Sequence, residues 1–450
     1  MPTLNQPKAR LSAVAIGLSL FGVAGAQVAP TAANGTFADR TGIWGNAPAR
    51  RPDTTNPFFK TLGSNARSCA TCHAPNDGWS VTPGALQRRF TNTSGLDPIF
   101  LPLDGANCPT LPLDTLANRQ TASSLLLTRG LIRVELPVPA SADYTITAVN
   151  NPYGCSSTSA ISVYRRILPT TNLAFLSDVM WDGRETLASG ELTDSLVNQA
   201  NDAVRLHAAG TIAVDPSVIG SAVGLELLQY TAQIVDTAAG ALDANGAVGG
   251  LGTLSRLGLV AATPGQPVFT LYANWENLPV SSDPAVAARA SIGRGERIFN
   301  SRPMTIAGVA GLNDVAGTGG QVHPVITGTC GTCHNVVNVG THNSHFLVNE
   351  GLARSGARNV SGLPLITITQ KTTGARVQVT DPGAALISGR FADIGKFKVP
   401  GLRGFPAHQP YFHNGSARSA ADVVAFYNTR FNLNLSVQEA SDLANFLNAL

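Results

Sequence analysis

Two stretches contain residues whose types and spacing commit them to chemistry: Cys69-Ala70-Thr71-Cys72-His73 and Cys330-Gly331-Thr332-Cys333-His334. Paired thiols with an imidazole directly after the second match the attachment pattern of c-type haem. The cysteines bond the porphyrin edge, and the histidine reaches the iron as its proximal ligand. Two copies predict two covalently bound haems. The competing reading is one structural zinc held by the four thiolates. Zinc ribbons keep their pairs close in sequence, however, and nothing in them requires a histidine after each pair.

Of the six cysteines, Cys108 and Cys155 remain. They either form a disulfide or stay as two unrelated buried thiols, and an oxidising compartment favours the bond. The N-terminus predicts such a compartment. Lys8 and Arg10 form a basic region, Leu11 to Val23 an apolar run, and Ala24-Gly25-Ala26 a small-residue cleavage site. Residues 1–26 are therefore read as a signal peptide, with a mature periplasmic chain starting near Gln27. Bacterial haem attachment takes place in that compartment too. No stretch approaches the roughly 20 apolar residues that span a bilayer, so no membrane span is expected. A net charge of +3 without a basic block argues against nucleic acid. Neither a protein partner nor an oligomeric state is legible from charge.

The elements that must hold the two motifs follow. Residues 27–56, rich in Ala, Thr, Pro and Gly, are expected as an extended arm. Asn56-Pro57 is an N-cap and first-turn pair, and Phe58, Phe59 and Leu62 give a short helix an apolar face leading into the first motif. A Pro-rich segment at about 94–154, with β-type runs Leu131–Val134 and Tyr144–Thr147, is expected as an insertion stapled by Cys108 and Cys155. Helical patterning returns over 186–228, and 238–265 is a loop or weak helix. Asp283-Pro284 opens the second unit with the same cap pair. Ile366–Ile368 and Val377–Val379 flank Thr373-Gly374 as hairpin arms. Ser436 and Glu439 form a capping box, followed by Leu443, Phe446, Leu447 and Leu450 on one helical face. The expected fold is mainly α: two cytochrome c-like haem domains, 27–282 and 283–450, with small β insertions.

Further stretches carry a family likeness. Met180-Trp181-Asp182-Gly183-Arg184 resembles the F-W-D-G-R segment of bacterial di-haem cytochrome c peroxidases. Phe397 to Arg403 resembles their F-K-V-P-T-L-R, Pro410 to Gly415 their P-Y-F-H-D-G, and Val424 to Asn428 their V-x-F-Y-N. With both haem motifs in order, the likeness covers most of the mature chain except the insertion, and the superfamily includes the MauG-type oxidases. It implies a first, peroxidatic haem, a second haem that handles electrons, and a tryptophan between them. Trp181 matches that tryptophan; its alternative is an ordinary buried core aromatic.

The likeness also raises expectations about ligands. The histidines are His73, His207, His323, His334, His342, His345, His408 and His413. None falls between His73 and His207, where family members carry a removable distal histidine, so the first haem iron is expected five-coordinate and open to peroxide. No methionine follows His334, and the MauG-type tyrosine position maps onto Tyr427. A phenolate favours the higher oxidation states of iron. A core tyrosine is the alternative, and His342, His345, His408 and His413 are rival ligands. The family's catalytic glutamate has no counterpart in Asn198 to Ala203, leaving Asp202 or His207 as acid and base, each with a capping or solvated alternative. Arg403 is expected to pair with a haem propionate. The calcium ion usual in the family would fall to Arg165-Arg166 and His408-Gln409-Pro410, where its Asn and Thr are both missing. The activity implied is reduction of hydrogen peroxide with electrons from a small redox protein, a cytochrome c or a cupredoxin. Peroxide-driven modification of a partner protein and non-enzymatic electron carriage are the alternatives.

Overall fold

With 45 glycines and 28 prolines, the backbone is interrupted too often for a helical architecture. The computed structural model describes residues 35–48, 52–316, 320–357 and 362–450, and the expected signal segment lies outside them. Helix accounts for 32% and strand for 18%, which corrects the mainly α expectation. Among the described residues there are ten α-helices and five small sheets.

The helices are α1 (Cys69–Cys72), α2 (Pro83–Thr93), α3 (Leu116–Ala122), α4 (Ser124–Arg129), α5 (Leu192–Leu206), α6 (Pro216–Leu227), α7 (Pro284–Ser301), α8 (Ala385–Ser388), α9 (Ala420–Arg430) and α10 (Val437–Asn448). The strands are β1 (Thr36–Ala38), β2 (Gly42–Ala47), β3 (Leu131–Pro137), β4 (Tyr144–Asn150), β5 (Ala160–Arg166), β6 (Tyr230–Asp236), β7 (Gly240–Ala241), β8 (Met304–Ala307), β9 (Val325–Gly328), β10 (Leu347–Val348), β11 (Leu365–Gln370), β12 (Arg376–Val379) and β13 (Phe397–Lys398).

Helix starts follow local chemistry. Asp283 accepts from the Ala285 amide at 2.9 Å, with Pro284 at the first helical position, and α7 runs on from there. Ser436 and Glu439 exchange cap hydrogen bonds at the head of α10. The two helices pack through Ile292, Ile298, Phe299, Leu443, Phe446 and Leu447 over Phe269, Tyr272 and Trp275. Gly295 permits the close crossing, since a Cβ there would lie 2.0 Å from the Asp442 carbonyl oxygen. At Asn56 the cap forms, accepting from Phe58 N at 2.9 Å, but it starts only a 3₁₀ turn, Pro57–Phe59, and not the expected α-helix.

Long-range strand pairing supplies the rest. The expected arm instead contributes β1 and β2 to a sheet ordered β1-β2-β6-β7, because an extended segment can satisfy its amides against the free edge of β6. The hairpin forms as expected, with Ile366 opposite Val379 and Ile368 opposite Val377. Cys108 and Cys155 are bonded. The segment they bracket is not self-contained: β3 pairs with β5, and β4 pairs with β11 from far along the chain. It also includes α3 and α4, which its β-type texture did not announce.

Candidate haem site

Each haem motif sits on one tight turn. At the first, the Thr71 hydroxyl accepts from Ser68 N at 3.0 Å; at the second, Thr332 accepts from Thr329 N at 3.1 Å. His73 Nδ1 lies 3.2 Å from the Trp79 carbonyl oxygen and His334 Nδ1 2.6 Å from that of Gly340. Both carbonyls are six residues downstream, so the two turns repeat one local device. A ring whose Nδ1–H donates to a carbonyl leaves Nε2 free for a metal. Burial pushes both imidazoles down to about 4, which keeps them in the neutral, ligating form. Burial likewise pushes the Cys69 and Cys330 thiols up to about 12 and Cys72 to about 11. Among the described residues no three His, Cys, Asp or Glu side chains converge to hold an ion. The cysteine pairs therefore do not meet, as the zinc reading would require.

One continuous cavity of about 330 Å³ is lined by Cys69, Cys72, His73 and His334, with Trp181, Tyr427 and Arg403 in its wall. Several buried polar atoms facing it have no partner among the described residues: Arg403 Nε, Thr341 Oγ1 and both ring nitrogens of His413. Each such orphan costs about 1–3 kcal/mol unless something fills the space. The propionates of a haem would supply acceptors to Arg403 Nε, Thr341 Oγ1 and the protonated ring nitrogen of His413, so the residues present fit the group. Arg403 donates through its other nitrogens to the Asn338 and Gly250 carbonyls, leaving Nε for a propionate.

On the side of the first motif the cavity meets one face of α5. Leu196, Gln199, Ala200, Ala203, Val204 and His207 line it, a helical stripe that places Asp202 on another face. Asp202 pairs instead with Arg205 at 2.8 Å, partly exposed, which removes it from contact with a substrate in the cavity. His207 is the acid–base candidate that the cavity receives. Its Nδ1 lies 2.6 Å from Asp104 Oδ2, and Arg67 holds the other carboxylate oxygen at 2.6 Å. Burial would raise the Asp104 carboxyl, but the His207 hydrogen bond and the Arg67 guanidinium hold it below the ordinary range. Asp104 is thus a fixed anion that orients the ring.

Asp104 escaped sequence reasoning because it lies inside the insertion, with no periodicity linking it to α5. Glu226 escaped too, although a lone acid in the apolar run from Val218 to Leu228 was a signal. It lines the cavity with Oε2 unpartnered among the described residues, and burial pushes it up to about 8.

Trp181 is 9% exposed. Its Nε1 donates to the Arg166 carbonyl at 2.8 Å, and its own carbonyl accepts from Lys398 N at 2.8 Å. The adjoining Asp182 is held by Arg165 at 2.5 Å and Arg184 at 2.9 Å, and Arg165 also grips Asp381 through two nitrogens. The His413 ring lies 6.3 Å from Trp181 and stacks on Phe397 at 3.8 Å. Tyr427, on α9, donates to Glu350 Oε2 at 2.8 Å; burial and that carboxylate push its phenol well above the usual value. Among the rival ligands, His342 and His345 do not line the cavity. His345 pairs with Asp178, and His408 Nε2 lies 2.9 Å from the Gly78 carbonyl oxygen.

The expected calcium position does not fit a metal ion. The Arg166 guanidinium lies 3.4 Å from the carbonyl oxygens of both His408 and Gln409, so a side-chain cation already stands there.

No family model matches the chain. A 69-residue stretch is 41% identical to a protein named cytochrome-c peroxidase IdrP1 from Denitromonas iodatirespirans, covering 13% of this chain and 18% of that relative. That match supports kinship at the level of the cytochrome c peroxidase superfamily and goes no further. Among solved structures, a MauG-like protein associated with microbial copper homeostasis aligns over 88% of this chain and 87% of its own. The identity is 12% and the TM-score 0.36, a likeness that does not establish a shared fold. Among the described residues no helix is long and apolar enough to cross a membrane.

Proposed function

We propose that the protein is a periplasmic di-haem c-type peroxidase, reducing hydrogen peroxide to two waters with two protons and two electrons from a small redox protein, a cytochrome c or a cupredoxin. Residues 27–282 would form the peroxidatic half and 283–450 the electron-handling half. One observation carries the reading: a single cavity is lined by His73 and His334 together with the His207–Asp104 pair, Tyr427 and Trp181. When bound, haem supplies the redox-active iron.

The chain's own residues do the rest. His73 and His334 present Nε2 as proximal ligands, held by their carbonyl partners. His207 takes one proton from bound peroxide and returns it to the departing oxygen, and Asp104 keeps the ring in the tautomer that can do so. Leu196, Ala200 and Val204 keep that wall apolar, limiting competing water. Trp181 provides an aromatic step between the halves, fixed at both its indole nitrogen and its backbone. Non-enzymatic carriage is disfavoured by an acid–base pair aimed into the cavity. The MauG-type alternative turns on Tyr427, whose hydroxyl would have to give up its proton and its Glu350 partner to reach iron as a phenolate.

Steady-state oxidation of reduced cytochrome c by peroxide tests the reading, with wild type beside His207→Ala. Turnover in wild type and its loss in the variant supports it. No turnover, with a persistent two-electron-oxidised state after peroxide, would favour the oxidase alternative.

A further inference from the structure

Five backbone carbonyl oxygens converge on one buried cation. Arg166, 5% exposed, donates to Val81 at 3.0 Å, Gly130 at 3.2 Å, Arg129 at 3.3 Å, and His408 and Gln409 at 3.4 Å each. These oxygens come from three separate stretches: the segment just before α2, the end of α4 with Gly130 after it, and residues 408–409. A nest of oxygens around a positive charge is the donor chemistry of a hard-cation site. It is built for close approach: a Cβ at Gly130 would lie 1.8 Å from Arg166 Nη1, and Gly130 has φ +63. The backbone of Arg166 is engaged as well. Its amide donates to the His413 carbonyl at 2.7 Å, and its carbonyl accepts from Trp181 Nε1 at 2.8 Å.

We propose that Arg166 is a built-in cation that fills the oxygen nest beside Trp181, so that the protein needs no metal ion there and holds its bridging aromatic in place through a tether that cannot dissociate. A guanidinium on the chain is preorganised in the nest, whereas a free ion would depart by mass action on dilution or chelation. By fixing the 408–413 loop to the end of β5, the same side chain sets the carbonyl that orients the indole. Arg166 is thus a positioning residue. The cation assignment rests on geometry alone; only the role of Trp181 rests on the peroxidase reading.

The test uses the full-length holoprotein and measures thermal unfolding, the haem absorption spectrum and calorimetric calcium uptake. Wild type is expected to bind no calcium and to show the same Tm and spectrum with calcium or with a chelator. Uptake of one calcium, or a chelator-sensitive Tm, overturns the proposal even if no Arg166 variant folds. Arg166→Ala is expected to melt lower and to recover on adding methylguanidinium or calcium, neither of which acts on wild type. A folded Arg166→Ala protein that neither cation restores would also overturn it. None of these readouts depends on peroxide turnover, so they stand apart from any failure of the proposed activity.

Discussion

Asp202 and His207 lie five positions apart near the end of α5, yet they face different surroundings. The sequence offered both, because either can carry a proton and the distance between them says nothing about which faces a cavity. The stripe from Leu196 to His207 decides it, and that stripe becomes visible only once the cavity is known. Asp104 sharpens the point: the residue that orients His207 comes from a segment the family likeness did not cover. His207→Ala should lower kcat/KM for peroxide by on the order of 10²–10⁴-fold. Asp104→Asn, which keeps the ring but not its anionic partner, should cost about 10–100-fold. Stopped-flow reaction with peroxide, in variants whose haem spectra match wild type, checks both. An Asp202→Asn variant is expected to react at the wild-type rate, since its carboxylate pairs outward with Arg205.

Elements were legible where chemistry is local and illegible where it is not. Both long C-terminal helices announced themselves through Asp283-Pro284 and the Ser436–Glu439 box, and the hairpin through its alternation around Thr373-Gly374. The sheet neighbours of β2 and β4 could not be read, because pairing with β6 and β11 depends on partners far along the chain. That is also why a mainly α reading failed: its helical signals were sound, but its strands were counted as ornaments. The α7–α10 contact makes two predictions. Phe446→Ala should destabilise the protein by about 3–5 kcal/mol, seen as a lower denaturation midpoint, because Phe446 is fully buried against Phe269, Phe299 and Tyr272. Glu296, buried on α7 and accepting from Tyr272 N at 2.9 Å, is pushed by burial up to about 7 from 4.5. A carboxyl raised on folding favours the native state only while it stays protonated. Stability is therefore lost as pH rises from about 4.5 through 7, by on the order of 3 kcal/mol in all. Glu296→Gln should remove that loss, melting above wild type at pH 8 and near it at pH 4. Parallel melting curves across that range would contradict the assignment.

At the scale of the whole molecule, the insertion joins what the sequence divided. It carries Asp104 to His207, and its strand β4 completes the sheet of β11 and β12, so an apparent decoration is tied to segments on both sides of it in the sequence. Replacing Cys155 by Ser should cost about 2–5 kcal/mol and speed amide exchange along β4 and β11 together. The two haem motifs, alike in their turns and their carbonyl-anchored histidines, differ in their neighbours: His207 stands near His73, and Tyr427 packs with Cys330 and Cys333. That inequality is most directly read by electron paramagnetic resonance of the resting, oxidised holoprotein beside Tyr427→Phe. The account predicts a high-spin first haem and a low-spin second haem, with only the second signal altered by the substitution. A purely low-spin first haem, or a second signal unchanged in Tyr427→Phe, would contradict it.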